Sequence, residues 1–257
     1  MGGSDRAGQG GSTAVLEDLV GALLARRKPA VVLSGAGISV SSDIPAFRGS
    51  DGLWTRYDPM EYATIDAFRA DPEKVWTMLW ELDAILEAAA PNAAHDAIAE
   101  LQRLGAVSAV VTQNIDGLHQ DAGSDDVVEL HGSRHVLVCL GCARTTRRRD
   151  VAEEAERGAV PRCGVCDGVL KPAAVFFGEA LPADAVRRAQ ELVRDADEVL
   201  VVGTAGEVEP AASLPYLAEH HGARLWEINP DPSLPTARWI VRGAEDVLPE
   251  LVDRLPG

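Results

Sequence analysis

Four cysteines and a series of polar clusters at the ends of apolar runs carry the chemistry legible in this chain of 257 residues. Cys139 and Cys142 are separated by two residues, as are Cys163 and Cys166, and 20 residues lie between the pairs. Each pair can offer two thiolates from one tight turn, with Gly141 and Gly164 expected to permit the bend. Four soft anionic ligands close a tetrahedron around Zn2+ and leave no place for water, so the spacing predicts one structural metal rather than a catalytic one. A redox pair or two disulfides is the competing reading. A cytosolic setting disfavours disulfides, and neither CxxC opens a helix as a thioredoxin-like motif would. The neighbouring Arg144, Arg147, Arg148 and Arg149 read as a solvated basic face.

The polar clusters begin with Gly35-Ala36-Gly37, after the apolar run 30–33, where backbone N–H groups at a helix start can receive a pyrophosphate. Val40 stands where a dehydrogenase fingerprint has its third glycine, so this motif alone is weak. Thr112 to Leu118 (TQNIDGL), His131-Gly132, Gly203-Thr204-Ala205 and Asn229-Pro230 each follow a further apolar run. In open α/β sheets, ligands bind beyond the carboxyl ends of strands. One polar strand end is turn chemistry; five together make a site.

The runs that position these clusters, 30–33, 106–112, 126–132, 197–203 and 223–229, read as buried parallel strands. Helical patterns start at Ala14 and fill 93–105 and 183–196, and strands alternating with helices predict an α/β fold, a Rossmann-like open parallel sheet. Two stretches break the alternation. Residues 58–91 read as a helical module, with Pro72 opening a helix that runs to Ala90, and 138–171 hold the cysteines. Both are expected to form a smaller lobe, the second as a zinc module. The sheet domain then comprises 14–57, 92–137 and 172–257, and the Gly/Ser-rich residues 1–13 are expected to be a disordered tail. The formal net charge of −16 disfavours nucleic acid and anionic membranes as partners. No apolar run approaches the ~20 residues that span a bilayer, and no secretory apolar region is visible, so a cytoplasmic protein is expected, with a monomer favoured.

Taken together, GAGIS (35–39), IPAFRG (44–49), TQNIDGLH (112–119), ELHG (129–132), the cysteine pairs, AVFFGEALP (174–182), GTAGEVEPAASLP (203–215) and INP (228–230) resemble the sirtuins. These are the NAD-dependent protein-lysine deacylases of the Sir2-like family, and the resemblance, to the bacterial type, covers nearly everything after residue 14. It implies NAD+ across the sheet edge, with its phosphates on Gly35, Ala36 and Gly37 and with Ser39 in the same cofactor loop. Phe47 would screen the nicotinamide ribose, and Arg48 and Trp54 would help to organise the dinucleotide. Gln113, Asn114, Ile115 and Asp116 would hold the ribose and the carboxamide, an amide pairing that suits nicotinamide. Gly203, Thr204, Ala205, Asn229, Pro230, Asp231 and Ala244 would meet the adenosine half; the family usually has Ser at position 205.

The resemblance also implies His131 as general base, with Asn114 and Asp116 as catalytic companions. The acyl oxygen would attack the ribose as nicotinamide leaves, giving free lysine and O-acyl-ADP-ribose. An imidazole with an ordinary pKa of ~6.5 suits the base role near neutrality. His95 and His135 read as structural, His220 and His221 sit at a helix end, and His119 is the rival, expected to support the site from behind. Val175, Phe176, Phe177 and Gly178 on one side and Gly206, Glu207 and Val208 on the other are implied to be extended edges, between which an acyl-lysine peptide adds as a strand. A mono-ADP-ribosyltransferase and a non-catalytic NAD- or zinc-binding module are the alternatives on this scaffold.

ATIDAF (63–68) and DPEKVW (71–76) resemble the branch of the family that removes acidic acyl groups such as succinyl. That branch grips the acyl carboxylate with a Tyr and, three residues later, an Arg. Here those positions are Leu79 and Leu82. Leucine removes the bidentate donor and leaves an apolar wall, which predicts a preference for acetyl and longer apolar acyl groups. Asp43 is a second departure, standing where the family usually has Gly before Ile-Pro.

Overall fold

Residues 30–34 (AVVLS) and 198–202 (EVLVV) are buried at every position, as strands covered on both faces require. They form the centre of a sheet in a computed structural model that describes residues 5–46 and 52–256. In chain order the elements are α1 (Asp5–Ala25), β1 (Ala30–Ser34), α2 (Pro59–Tyr62), α3 (Ile65–Ala70), α4 (Pro72–Ala88), α5 (Ala93–Arg103), β2 (Val107–Thr112), α6 (Leu118–Asp121), β3 (Val127–Glu129) and β4 (Val136–Cys139). Then follow β5 (Thr145–Arg147), α7 (Ala152–Glu156), β6 (Leu170–Pro172), α8 (Ala183–Asp195), β7 (Glu198–Val202), α9 (Leu214–His220), β8 (Arg224–Ile228), β9 (Arg238–Ile240) and α10 (Ala244–Asp253).

The large sheet has the order β3-β2-β1-β7-β8-β9, with every pair parallel. Counted along its own strands this is 3-2-1-4-5-6, the doubly wound order, and its direction reverses between β1 and β7. Leu16, Leu19 and Leu23 of α1, Ile98 and Leu101 of α5, and Val247 and Leu251 of α10 pack with one face, against Val32, Val110, Leu200 and Trp226. Val193 of α8 and Leu214 and Ala218 of α9 pack with the other, against Val31, Val111, Val201 and Leu225. Each fully buried Val, Leu or Ile among these contributes about 1.5–3 kcal/mol.

Two expectations about this domain change. The helix expected from Ala14 starts at Asp5, so residues 5–13 are helical rather than a disordered tail. The Ser12 side chain is buried there, and its Oγ accepts the Val241 N–H (3.1 Å) beyond the last strand, which ties that turn to the sheet edge. The sheet also gains β9, a three-residue edge strand with two exposed residues, too short and too polar to announce itself by pattern.

The smaller lobe combines α2, α3 and α4 with an antiparallel sheet, β5-β4-β6, that carries the cysteine module. Phe68, Trp76, Met78, Leu137, Leu170 and Phe176 form its core. The Asp71 side chain caps α4 by accepting the Lys74 N–H (3.0 Å), and Pro72 occupies the first turn, where its missing N–H costs nothing. The helix ends at Ala88, short of the expected Ala90, because Pro91 restricts the residue before it. Indole N–H groups join the two inserts: Trp76 donates to Leu170 O and Trp80 to Ala159 O, each at 3.0 Å. Among the described residues, no helix is long and apolar enough to cross a membrane.

Candidate active site

The reversal between β1 and β7 opens a crevice at their carboxyl ends, and the five polar clusters converge on it. Gly37 and Gly203 touch there: Gly37 N–H donates to Gly203 O (2.8 Å), and a Cβ on Gly37 would lie 2.7 Å from that oxygen. Gly203 adopts φ +60, and a Cβ on it would lie 2.4 Å from Ile38 N. Only glycine fits at either position, so bare backbone lines this part of a cavity of about 660 Å3.

Gly35, Ala36, Gly37, Trp54, Gln113, Asn114, Ile115, His131, Gly203, Thr204, Ala205, Asn229 and Asp231 all line that cavity, as do the expected substrate residues Leu79, Leu82, Val175, Phe176, Phe177, Gly178 and Glu207. Ser39, Asp116, Pro230 and Ala244 are not on its wall. Pro230 is exposed beyond Asn229, and Ala244 is buried in the core at the start of α10. Asp116 is buried, and both carboxylate oxygens are used inside the protein, accepting from Ser39 Oγ (2.8 Å) and Leu118 N–H (3.0 Å). It acts on the wall through Asn114, whose amide nitrogen donates to Ser39 Oγ (3.1 Å) and Gly35 O (3.2 Å). Phe47 and Arg48 lie outside the described residues.

His131 is half-buried, and its Nδ1 lies 2.8 Å from Gln113 O. A carbonyl can only accept, so Nδ1 carries the proton and Nε2 keeps its lone pair. Burial lowers the imidazole pKa below its ordinary value, which keeps the ring neutral at pH 7 and able to take a proton. The rival His119 is fully buried; its Nε2 lies 2.9 Å from Ser34 Oγ, which donates to Thr112 Oγ1 (2.9 Å). Thr112 Oγ1 in turn accepts the Asn114 N–H (3.0 Å), so His119 supports the amide from behind the strands. His95 holds the α5 cap and lies 3.5 Å from Ser39 Oγ.

Neither expected substrate edge is a regular strand, because turns at Gly178 and Gly206 interrupt them. Residues 175–178 are nonetheless fixed. Val175 N–H donates to His131 O (2.8 Å), Phe177 N–H to Ala63 O (2.9 Å), and Ile65 N–H to Phe177 O (3.0 Å). Lys171, which no local pattern marked, is buried beneath them; Nζ donates to Pro172 O and Ala174 O (each 2.7 Å) and pairs with Glu179 (2.9 Å). Two further groups missed in the sequence are Arg134 and Arg148, both on the cavity wall. Arg148 was expected on a solvated face with Arg144, Arg147 and Arg149; it turns inward because buried Asp83 of α4 receives its guanidinium.

The four cysteine sulfurs lie within 4.8 Å of one another, with Cys139–Cys166 at 3.4 Å and Cys142–Cys163 at 3.7 Å. Zn–S bonds of ~2.3 Å in a tetrahedron require S···S edges of about 3.8 Å, so the thiols fit one Zn2+. Gly141 N–H donates to Cys139 Sγ (3.3 Å), and backbone N–H groups of Val165 and Cys166 bring the Cys163 thiol down to about 7, toward the thiolate a metal needs. The left-handed turn residues are Ala143 and Asp167 rather than Gly141 and Gly164. The glycine that the cluster needs is Gly168, where a Cβ would lie 2.8 Å from Cys139 Sγ.

The comparisons with known proteins agree with this geometry. The sequence matches the Sir2 family over residues 35–210. A protein of Pyrococcus furiosus named NAD-dependent protein deacylase is 45% identical over 246 residues, covering 92% of this chain and 96% of its own. The structure of a Sir2 homologue in complex with NAD superposes with a TM-score of 0.83 at 41% identity, over 92% of each chain. A Sir2 protein solved with a deacetylated p53 peptide and 3′-O-acetyl ADP-ribose gives 0.84 at 36% identity, over 93% of this chain and 96% of its own. With its doubly wound sheet, glycine cradle, polar strand ends and four-cysteine lobe, this chain belongs to the Sir2 family.

Proposed function

We propose that the protein is an NAD+-dependent protein-lysine deacylase that removes acetyl and longer apolar acyl groups. The observation that carries this reading is His131: a neutral imidazole with Nδ1–H held by Gln113 O, on one cavity with the glycine cradle and the Leu79–Leu82 wall. The names of the Pyrococcus furiosus relative and of the peptide-bearing Sir2 structure support the same chemistry. Bound NAD+ would supply an electrophilic ribose carbon for the acyl oxygen, with nicotinamide as its leaving group.

The chain's own residues do the rest. Gly35, Gly37 and Gly203 let backbone approach the phosphates closely, and Gln113 Nε2 donates to Thr204 Oγ1 (2.9 Å), joining the two halves of the crevice. Ser39 and Asp116 hold the Asn114 amide against Gly35, and Trp54, Gln113 and Ile115 complete the wall on the ribose side. Asn229 is fixed at the adenosine end, where its Nδ2 donates to Thr204 O (3.1 Å). His131 Nε2 accepts a proton from a ribose hydroxyl. The segment 175–178 and the loop around Glu207 receive the peptide on either side of the acyl-lysine. Leu79 and Leu82 exclude water from the acyl chain, and the cysteine lobe, stapled by Zn2+, holds that side of the cavity together.

Nicotinamide release from NAD+ should require an acetyl-lysine peptide, and formation of free lysine should be lost in His131→Ala. Labelled NAD+ leaving its ADP-ribose on protein, with no lysine freed, would refute deacylation. Succinyl-lysine turnover equal to acetyl-lysine turnover would refute the acyl preference.

A further inference from the structure

The cavity wall contains more charge than its two leucines suggest. Leu79, Leu82 and Asp83 all line the cavity, and Asp83 stands one turn after Leu79 on α4. The Asp83 side chain is 12% exposed, and two guanidiniums grip its carboxylate. Arg148, which follows β5, donates Nε–H to Oδ2 at 2.9 Å and adds a second N–H from Nη2. Arg134, from the loop after β3, donates Nη1–H to Oδ1 at 3.3 Å. Arg134 is buried, at 9% side-chain exposure, Arg148 is partly buried, at 14%, and Arg148 lies over the Trp80 ring at 4.7 Å. Glu87 takes a further N–H from Arg134 at 2.9 Å, but it is 61% exposed and its charge is screened by water.

We infer that Asp83 determines the enzyme's selectivity for acyl charge: by occupying both arginines it denies this arm of the cavity to acyl groups ending in a carboxylate. The inference rests on the deacylase reading above. Two guanidiniums largely withdrawn from water are the donors that a carboxylate needs in a water-poor site. With the Asp83 carboxylate between them, an incoming carboxylate finds those N–H donors already taken and has to displace a carboxylate of this chain to reach them. Leu79 and Leu82 offer no donor in compensation. Asp83→Asn keeps the shape of the side chain, removes its charge, and leaves the arginine pair as a receptor for an acidic acyl group. Selectivity against succinyl therefore lies in an acid that conceals two bases, not only in the absence of an arginine on α4.

The test compares kcat/KM for peptides bearing acetyl-lysine, succinyl-lysine and the uncharged carboxamide analogue of succinyl-lysine. The wild-type protein is expected to handle the carboxamide at least about tenfold better than the succinate it mimics. Asp83→Asn is expected to raise the succinate-to-carboxamide ratio by about tenfold or more, and the double variant Asp83→Asn with Arg148→Met to return it toward the wild-type value. The ratio is internal to each protein, so a general loss of activity cancels. If Asp83→Asn does not fold, thermal melts of Asp83→Ala decide: formate should raise its Tm more than chloride at equal ionic strength, and should not do so for wild type. An unchanged ratio in folded Asp83→Asn, or no advantage of formate where that variant fails to fold, overturns the inference. Absence of peptide-dependent nicotinamide release in the wild type overturns the deacylase reading instead, and the formate melts still report on the arginine pair.

Discussion

Mild acid should weaken this protein before its carboxylates titrate, and His119 is the principal reason. The ring is 1% exposed, its Nε2 is held at 2.9 Å from Ser34 Oγ, and its buried Nδ1 has no hydrogen-bond partner. A proton added there would be a buried donor without an acceptor. Burial, reinforced by the His95 ring at 5.0 Å, pushes the His119 pKa down to about 3. In the unfolded chain a histidine titrates near 6.5. Between those values the unfolded state binds a proton that the native state refuses, so stability falls as pH falls. The slope approaches 1.4 kcal/mol per pH unit, giving a loss of about 2 kcal/mol by pH 5 and about 3 kcal/mol by pH 4. Against a total of roughly 5–15 kcal/mol, that is a large share. His95 and His131, both lowered by burial, act in the same direction. Urea unfolding from pH 8 to 4.5, followed by tryptophan fluorescence on wild type and His119→Asn, measures the effect. Aspartates and glutamates titrate alike in both proteins, so the difference between them isolates His119. The variant should start less stable at pH 8 and lose stability more slowly by about 1 kcal/mol per pH unit below pH 6. Parallel dependences in the two proteins would refute the reasoning.

Other outcomes follow from the same geometry. Because burial lowers the His131 pKa, the acid limb of kcat/KM should lie below pH 6.5; a limb above 7 would contradict a buried neutral base. Gly37→Ala should cost about 1–3 kcal/mol and raise KM for NAD+ more than tenfold, since its Cβ would press on Gly203 O; wild-type kinetics and melting would dismiss the close approach. Metal analysis should find one zinc per chain, lost in Cys163→Ser together with several degrees of Tm, and a metal-free protein of unchanged Tm would rule out the staple. With a formal charge of −16, kcat/KM for lysine-rich peptides should fall as salt rises, and indifference to ionic strength would argue against steering.

The sequence showed the strand ends plainly because fully buried parallel strands read as unbroken apolar runs, and whatever follows such a run reaches the crevice. Leu79 and Leu82 also line the cavity, and they were expected there from the resemblance to the acidic-acyl branch rather than from any local pattern. The concealed parts share a different property. Asp83 meets Arg134 and Arg148 across long stretches of chain, so no local pattern distinguishes these arginines from solvated ones. Glu227 is a charge in the middle of an apolar strand and is fully buried; its carboxylate accepts the Ser233 and Leu234 N–H groups (each 2.8 Å) and shapes the loop after Asn229. Its partners are six and seven residues away, beyond the reach of periodicity. In the cysteine turns, glycine in the sequence suggested where the backbone bends left, yet Ala143 and Asp167 take those conformations.

The strand order that creates the crevice also sets a schedule for the nascent chain. Val31 of β1 pairs with Val199 of β7, so the central strand has only β2 beside it until most of the protein has been synthesised. At ~5–20 residues per second, that interval lasts on the order of five to twenty seconds. During it, β1 presents a row of unpaired backbone groups flanked by Val and Leu, an edge that another chain could occupy. The place where the folded protein gathers its ligand is therefore a seam that closes late on the ribosome, and the yield of active enzyme should depend on how well that edge is shielded while it waits.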